Sequence, residues 1–270
     1  MNCEPLFGTA KPVIGMVHLP PLPGAPRFEG DRAAIRERML ADAQALEAGG
    51  VDGIMVENFG DAPFYPDDVP KHVVASMTAF CQDLVDQTDV PVGVNVLRND
   101  AEAALSIAAA VDADYVRVNV HVGATVTDQG LLQGQAHETM RLRDRLDADV
   151  AVLVDVGVKH AAPLGDRSMR AELADACERG LADGIIVSGS GTGDPTSHDV
   201  LEDARALLDE RFPQIPLFVG SGVTQTSVAQ TLELADGVIV GTALKTEGET
   251  TNPVDAGRVG DLVAAADRRR

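Results

Sequence analysis

Eight times along this chain a short run of β-branched residues gives way to a polar or glycine-rich turn and then to a segment of helical periodicity. Such alternation prescribes parallel strands, because a strand rejoins its sheet in parallel only after a crossover helix. Eight units in 270 residues suit one closed (β/α)8 TIM barrel, for which about 250 residues is usual. An open doubly wound sheet is the alternative. The expected strands are 13–17, 51–56, 92–96, 115–120, 150–156, 184–187, 217–219 and 237–240. Ile35, Met39, Ala43 and Leu46 mark the first helix, stopped by Gly49 and Gly50. Further helices are expected over about 71–86, 101–111, 136–146, 169–179, 197–208 and 254–266. No composition break marks a linker, so residues 1–270 read as a single domain with its core over about 11–265.

Three connections are long. Residues 19–26 hold four prolines within seven residues, which forbids helix and sheet interior alike and leaves a stiff extended loop, either a connector or a lid over the strand ends. Residues 59–70 read as a rim loop and 123–134 as loop-like.

The second half of the chain carries the clearest chemical signal. In residues 216–245, PLFVGSGVTQTSVAQTLELADGVIVGTALK, two apolar strands each end in glycine followed by a small hydroxyl residue, Ser221 or Thr242. Turns of this kind leave backbone N–H groups free to point at an anion, and barrels commonly hold phosphate in the loops after strands seven and eight. The plainer reading is that these glycines only let strands turn into helices. Gly220, Ser221, Gly222, Gly241 and Thr242 are the candidate phosphate ligands. Ser188, Gly189 and Gly191, in the glycine-rich run after the sixth strand, supply a third turn; its spacing is not that of a dinucleotide fingerprint.

In a barrel, the C-terminal ends of all strands face one mouth. Strands two to five bring carboxylates and amides there, and strands six to eight bring glycine turns. That division suits a phosphorylated small molecule with its phosphate on the glycine side. Asp155 and Glu57 form the candidate acid–base pair, because a carboxylate desolvated at a barrel mouth is tuned towards proton transfer; for each, an ordinary salt bridge is the alternative. Lys159, one of four lysines with Lys11, Lys71 and Lys245, joins them as a candidate catalytic group. His18, Asn58, Asn95, Asn119 and His121 are candidate substrate-binding groups, with Arg117, Asn119 and His121 alternating on one strand face. Lys245 either reaches the phosphate or is solvated. No cofactor is called for. Glu57, Asp155, His18 and His121 have the chemistry of divalent-metal ligands, but no local ligand spacing supports a site.

Composition limits the partners. Acidic residues outnumber basic ones 42 to 22, for a formal charge of -20, and so negative a surface repels nucleic acid and anionic lipid. Neither is an expected partner; a homo-oligomer stays open. Self-repulsion on this scale is best tolerated where salt screens it, so a salt-rich cytoplasm is expected. Cys3, Cys81 and Cys177 are scattered and read as reduced, buried thiols. No leader or transmembrane segment is expected. With 45% hydrophobic and only 3% aromatic residues, the core is one of Val, Leu, Ile and Ala.

The segments IGMVHLPPLPGAP (14–26), GVDGIMVENFGDAPF (50–64), NVLRNDA (95–101), YVRVNVHVGATVTDQG (115–130), KHAAPLGDRS (159–168) and GLADGIIVSGSGTG (180–193), with VGSGVT and ADGVIVGTALK, resemble the BtpA family in order over about residues 11–265. The resemblance implies a phosphate-binding TIM barrel and carries the family label of membrane-complex biogenesis. Where the family pattern is DVHVKHA, this chain has Gly157, so a histidine there has no counterpart; its SGSGTG replaces SGSATG. Two functions follow as expectations. One is an enzyme acting on a phosphorylated sugar or nucleotide-like metabolite by isomerase, lyase or glycosyl-bond chemistry. The other is a non-enzymatic assembly or stability factor for a membrane complex.

Overall fold

The computed structural model describes residues 3–157, 162–165, 167–189 and 194–270. In chain order the elements are α1 (Cys3–Phe7), β1 (Val13–His18), α2 (Arg32–Ala48), β2 (Gly53–Glu57), α3 (Lys71–Val85), β3 (Val92–Asn95), α4 (Ala101–Val111) and β4 (Tyr115–Val118). There follow β5 (Ala124–Thr127), β6 (Gly130–Gln133), α5 (Ala136–Arg145), β7 (Ala151–Val156), β8 (Ala162–Pro163), α6 (Met169–Glu178) and β9 (Gly184–Val187). The chain closes with α7 (His198–Arg211), β10 (Leu217–Val219), α8 (Val228–Leu234), β11 (Gly237–Val240) and α9 (Ala256–Ala266).

Eight of these strands close a parallel barrel in the order β1-β11-β10-β9-β7-β4-β3-β2. The alternation of strand and helix is thus realised as the expected TIM barrel, not as an open sheet. Helix starts follow side-chain capping: Asp31, Asp100, Ser168, Ser197 and Asp255 each accept backbone N–H groups of the first turn.

The residues of each strand divide by parity. Val13, Val17, Ile54, Val56, Val92 and Val94 face outward and pack on the helices. Ile14, Met16, Met55, Tyr115, Leu153, Ile186, Phe218 and Ile239 fill the lumen. Helix α1, which sequence periodicity does not mark, closes the lower end: Phe7 meets Tyr115 edge-on at 5.4 Å and Phe218 at 6.4 Å between ring centroids. Aromatic pairs in this arrangement stabilise by about 0.5–1.5 kcal/mol beyond the area they bury.

The lower face is fastened by one device used four times. Asp52, Asp114, Asp183 and Asp236 each stand immediately before a strand. Each carboxylate accepts the N–H of the first or second residue of the preceding barrel strand or its edge: Val13 at 2.7 Å, and Val92, Val152 and Leu217 at 2.8 Å. The same aspartates return their own backbone N–H to the carbonyls of Val13, Val92, Val152 and Leu217. Strands are therefore latched in pairs, β1 with β2, β3 with β4, β7 with β9 and β10 with β11.

Residues 123–134 are not the plain loop expected. They contain the β5–β6 hairpin, in which Val126 stands opposite Leu131, and β8 adds to it in a small second sheet ordered β6-β5-β8.

Candidate functional site at the barrel mouth

Each barrel strand ends in one more lumen-facing position, and these positions build the mouth. His18 follows Met16 at period two, Glu57 follows Met55, and Asp155 follows Leu153. Register places His18 beside Glu57 and Glu57 beside Asn95. On β9, β10 and β11 the equivalent positions are Ser188, Gly220 and Gly241. A Cβ at Gly220 would lie 2.6 Å from Ile186 Cγ2 and 2.8 Å from Ser188 Oγ, and one at Gly241 2.8 Å from His18 Cε1. Large polar groups on one wall and absent side chains on the other leave a cavity of about 1650 Å³ at the C-terminal face. His18, Glu57, Arg117, Asn119, Asp155, Gly220, Ser221, Gly222, Gly241 and Thr242 all line it.

At its floor Arg117 and Asp155 form a buried pair, with Nε donating to Oδ2 at 2.7 Å and Nη2 to Oδ1 at 2.9 Å. Asn119 Nδ2 adds a third donor to Asp155 at 3.0 Å, and Ser188 Oγ lies at 3.5 Å. Burial works against the Arg117 charge, but the paired Asp155 carboxylate and the nearby Glu57 more than offset it and hold the guanidinium above its ordinary pKa. Asp155, expected as an acid–base group, therefore has its oxygens engaged by donors.

Beside the cavity, His18 Nε2 lies 3.9 Å from Glu57 Oε1. The His18 ring rests against Phe59 with centroids 4.8 Å apart. Asn95 sits behind this layer, outside the cavity lining, donating to the Arg117 carbonyl at 2.9 Å and to Asn119 Oδ1 at 3.1 Å.

On the glycine wall, Ser221 Oγ accepts from Gly189 N at 2.8 Å and donates to the Asp194 carbonyl at 3.2 Å. Its hydroxyl thus ties Gly189 to Asp194, and what it leaves for a ligand is the backbone of 220–222. Gly222 has φ +68 and packs against the backbone of Asp194 and Pro195, so a side chain is excluded there twice over. Thr242 Oγ1 is 2.8 Å from Thr250 Oγ1. Ser188 and Gly189 are not among the residues that line the cavity, although Ser188 Oγ reaches to 3.5 Å from Asp155.

Three expected positions lie elsewhere. Asn58 ties two rim loops, donating to Asp61 Oδ2 at 3.0 Å and accepting Leu97 N at 2.7 Å. His121 turns its Nε2 to the Gly180 carbonyl at 2.8 Å, because β4 ends at Val118 and the period-two extrapolation does not reach residue 121. Burial lowers its pKa, although the Gly180 carbonyl opposes the shift. Lys245 is neither solvated nor at the phosphate turn. It is fully buried, 3.2 Å from Asp42 Oδ2, and burial lowers its pKa although Asp42 opposes the shift. Lys159 and Gly191 lie outside the described residues. Among the described residues no group of three or more His, Cys, Asp or Glu side chains is arranged to hold a metal ion.

Arg117 is the site residue to which sequence reasoning assigned no role. The signal was present, since it shares the inward face with Asn119, but its pairing with a carboxylate 38 positions away appears only once β4 and β7 are neighbours.

Comparison with known proteins matches the description "BtpA family" to residues 9–268. The Photosystem I biogenesis protein BtpA of Synechocystis is 48% identical over 98% of this chain and 91% of its own length. An uncharacterized protein of Thermococcus kodakarensis is 46% identical over 96% of this chain and 97% of its own. Among solved structures, phosphoribosyl anthranilate isomerase from Thermus thermophilus superposes with TM-score 0.56 at 12% identity, over 96% of this chain and 100% of that one. Mycobacterium tuberculosis tryptophan synthase superposes with TM-score 0.61 at 18% identity, over 97% and 96%. At such identities these two structures bear on the fold alone.

Proposed function

The chain belongs to the BtpA family, and from that premise we propose that it is an enzyme that binds a phosphorylated sugar or nucleotide-like metabolite in the barrel mouth and moves a proton there. The observation that carries this reading is that one cavity is lined by both a Glu57–His18 pair and the glycine turns of β10 and β11. The phosphate is received by the backbone N–H groups at 220–222 and 241–242, which line the cavity. Glu57 exchanges the proton, with His18 alongside to share it. Arg117, fixed by Asp155, which Asn119 also holds, offers a positive charge to an oxygen of the ligand that gains negative charge as the proton moves. Isomerase, lyase and glycosyl-bond chemistry all use this set of groups.

Thermal shift in high salt against a panel of sugar phosphates and nucleotides tests the reading, followed by mass spectrometry of any stabilising ester for conversion. Thr242→Asp, which sets a carboxylate beside the turn, is expected to abolish the stabilisation. Glu57→Gln is expected to keep binding while conversion falls by about 10²–10⁴-fold, the usual contribution of a positioned acid–base group. If no ester stabilises the protein, the reading fails.

A second reading, a factor assisting assembly of a membrane complex, rests on the name of the Synechocystis relative and its 48% identity. No helix of the described residues is long and apolar enough to cross a membrane. This reading predicts no response to any ester in the panel.

A further inference from the structure

We propose that the outer face of the small β6-β5-β8 sheet is a contact surface for a second copy of this chain. The proposal is independent of what the barrel mouth binds.

Register fixes which side chains share that face. Val126 stands opposite Leu131 on β6 and opposite Ala162 on β8, and Ala124 stands opposite Gln133. Residues paired across strands point to the same side of a sheet. Leu164 joins them, because its N–H still donates to the Ala124 carbonyl at 3.1 Å and carries the ladder one residue past β8. The other face carries the buried pair Thr125 and Leu132.

An antiparallel sheet with one face on the core ordinarily turns polar residues outward. Here the outward face holds Val126, Leu131 and Leu164 at 46%, 48% and 60% exposure, three of the seven large apolar side chains exposed among the described residues. Single exposed leucines are ordinary, whereas several gathered on one face mark a surface that meets a partner.

Charge selects the partner. Between residues 122 and 134 the only charged residue is Asp128, and 162–164 carry none, although charged residues make up 24% of the chain. Asp128 stands in the turn between β5 and β6, where it lines the mouth cavity. A basic partner finds no carboxylate on this face to hold it and is drawn to the acidic remainder of the molecule instead. For two molecules that each carry a formal charge of -20, an uncharged face is where approach meets the least repulsion. A two-fold contact asks only that one patch be complementary to itself, and aliphatic side chains satisfy that. Salt screens the repulsion left between the acidic surfaces around the patch, so this contact strengthens with salt where one made of ion pairs weakens.

Sedimentation velocity of the full chain over a dilution series, in molar and in dilute salt, tests this. The wild type is expected to be a dimer that dissociates on dilution, and more readily in dilute salt. Leu131→Glu and Val126→Glu are each expected to raise the dissociation constant about tenfold or more, as loss of a central apolar contact does. Leu146→Glu, at an exposed leucine outside this sheet, is expected to leave it unchanged. Because the substituted side chains are exposed, each variant is expected to melt like wild type; should Leu131→Glu or Val126→Glu fail to do so, Leu164→Glu decides. A wild type that stays monomeric throughout overturns the proposal, including one that adsorbs instead to neutral phosphatidylcholine vesicles. So does a dimer that folded variants of this face leave intact, one that Leu146→Glu weakens equally, or one that tightens in dilute salt.

Discussion

Arg117 and Asp155 meet across β4 and β7 as a bidentate pair, 2.7 and 2.9 Å apart at its two contacts, with both side chains almost fully withdrawn from solvent. A buried pair of this kind is costly to break from one side, because the partner remains as an uncompensated charge. Arg117→Met or Asp155→Asn is expected to destabilise by about 3–5 kcal/mol in urea unfolding. The double variant Arg117→Met with Asp155→Leu is expected to recover much of that loss, since neither charge is then left alone. Single variants that unfold like wild type, or a double variant that loses the sum of both, would show that the pair is not coupled.

The four aspartate latches make a separate prediction about the opposite face. Asp114→Ala leaves the Val92 N–H without its acceptor, for an expected loss of about 1–3 kcal/mol. Asp52→Ala does the same to Val13. Because the two latches fasten different strand pairs, their losses are expected to add within about 0.5 kcal/mol in the double variant. Strong non-additivity would mean that the latches do not act independently.

Much of this was legible in the sequence, for identifiable reasons. Their places at the ends of β1, β2 and β7 brought His18, Glu57 and Asp155 to the mouth, and glycine after an apolar run located the wall at Gly220 and Gly241. Extending the period-two alternation of β4 past its end misplaced His121, because a strand's parity ends where the strand does. The β5–β6 hairpin was hidden by its own composition: Thr125, Thr127 and Gly130 read as loop, and only the facing pair Thr125 and Leu132 is buried. Lys245 could not be placed from sequence, since its burial depends on Asp42, 203 positions away. The latch motif was visible as Val51-Asp52-Gly53, Ala113-Asp114-Tyr115, Ala182-Asp183-Gly184 and Ala235-Asp236-Gly237. Its meaning required the strand pairing.

His121 supplies a pH dependence whose sign follows from its burial. Its folded pKa is lowered from 6.5, so the folded state resists the proton while the unfolded chain accepts it. Its contribution to stability is full above about pH 6.5 and is lost as pH falls below that towards the folded pKa, at up to about 1.4 kcal/mol per pH unit. His121→Gln, which can still donate to the Gly180 carbonyl, is expected to flatten the stability profile in that window relative to wild type. Parallel profiles for the two proteins would contradict this.

The acidic composition predicts a salt dependence. With 42 acidic residues against 22 basic ones, lowering salt from molar to about 10 mM lengthens the screening distance from about 3 Å to about 30 Å and exposes the chain to its own repulsion. The melting temperature is expected to fall on that transfer. A melting temperature indifferent to salt would remove the expectation of a salt-rich cytoplasm.

The most direct measurement is a crystal structure with a stabilising phosphate ester bound. The phosphoryl group is expected between the 220–222 and 241–242 turns, with the rest of the ligand extending towards Glu57 and Arg117. An ester seated elsewhere on the molecule, or those turns closed to it by their own side chains, would contradict the account.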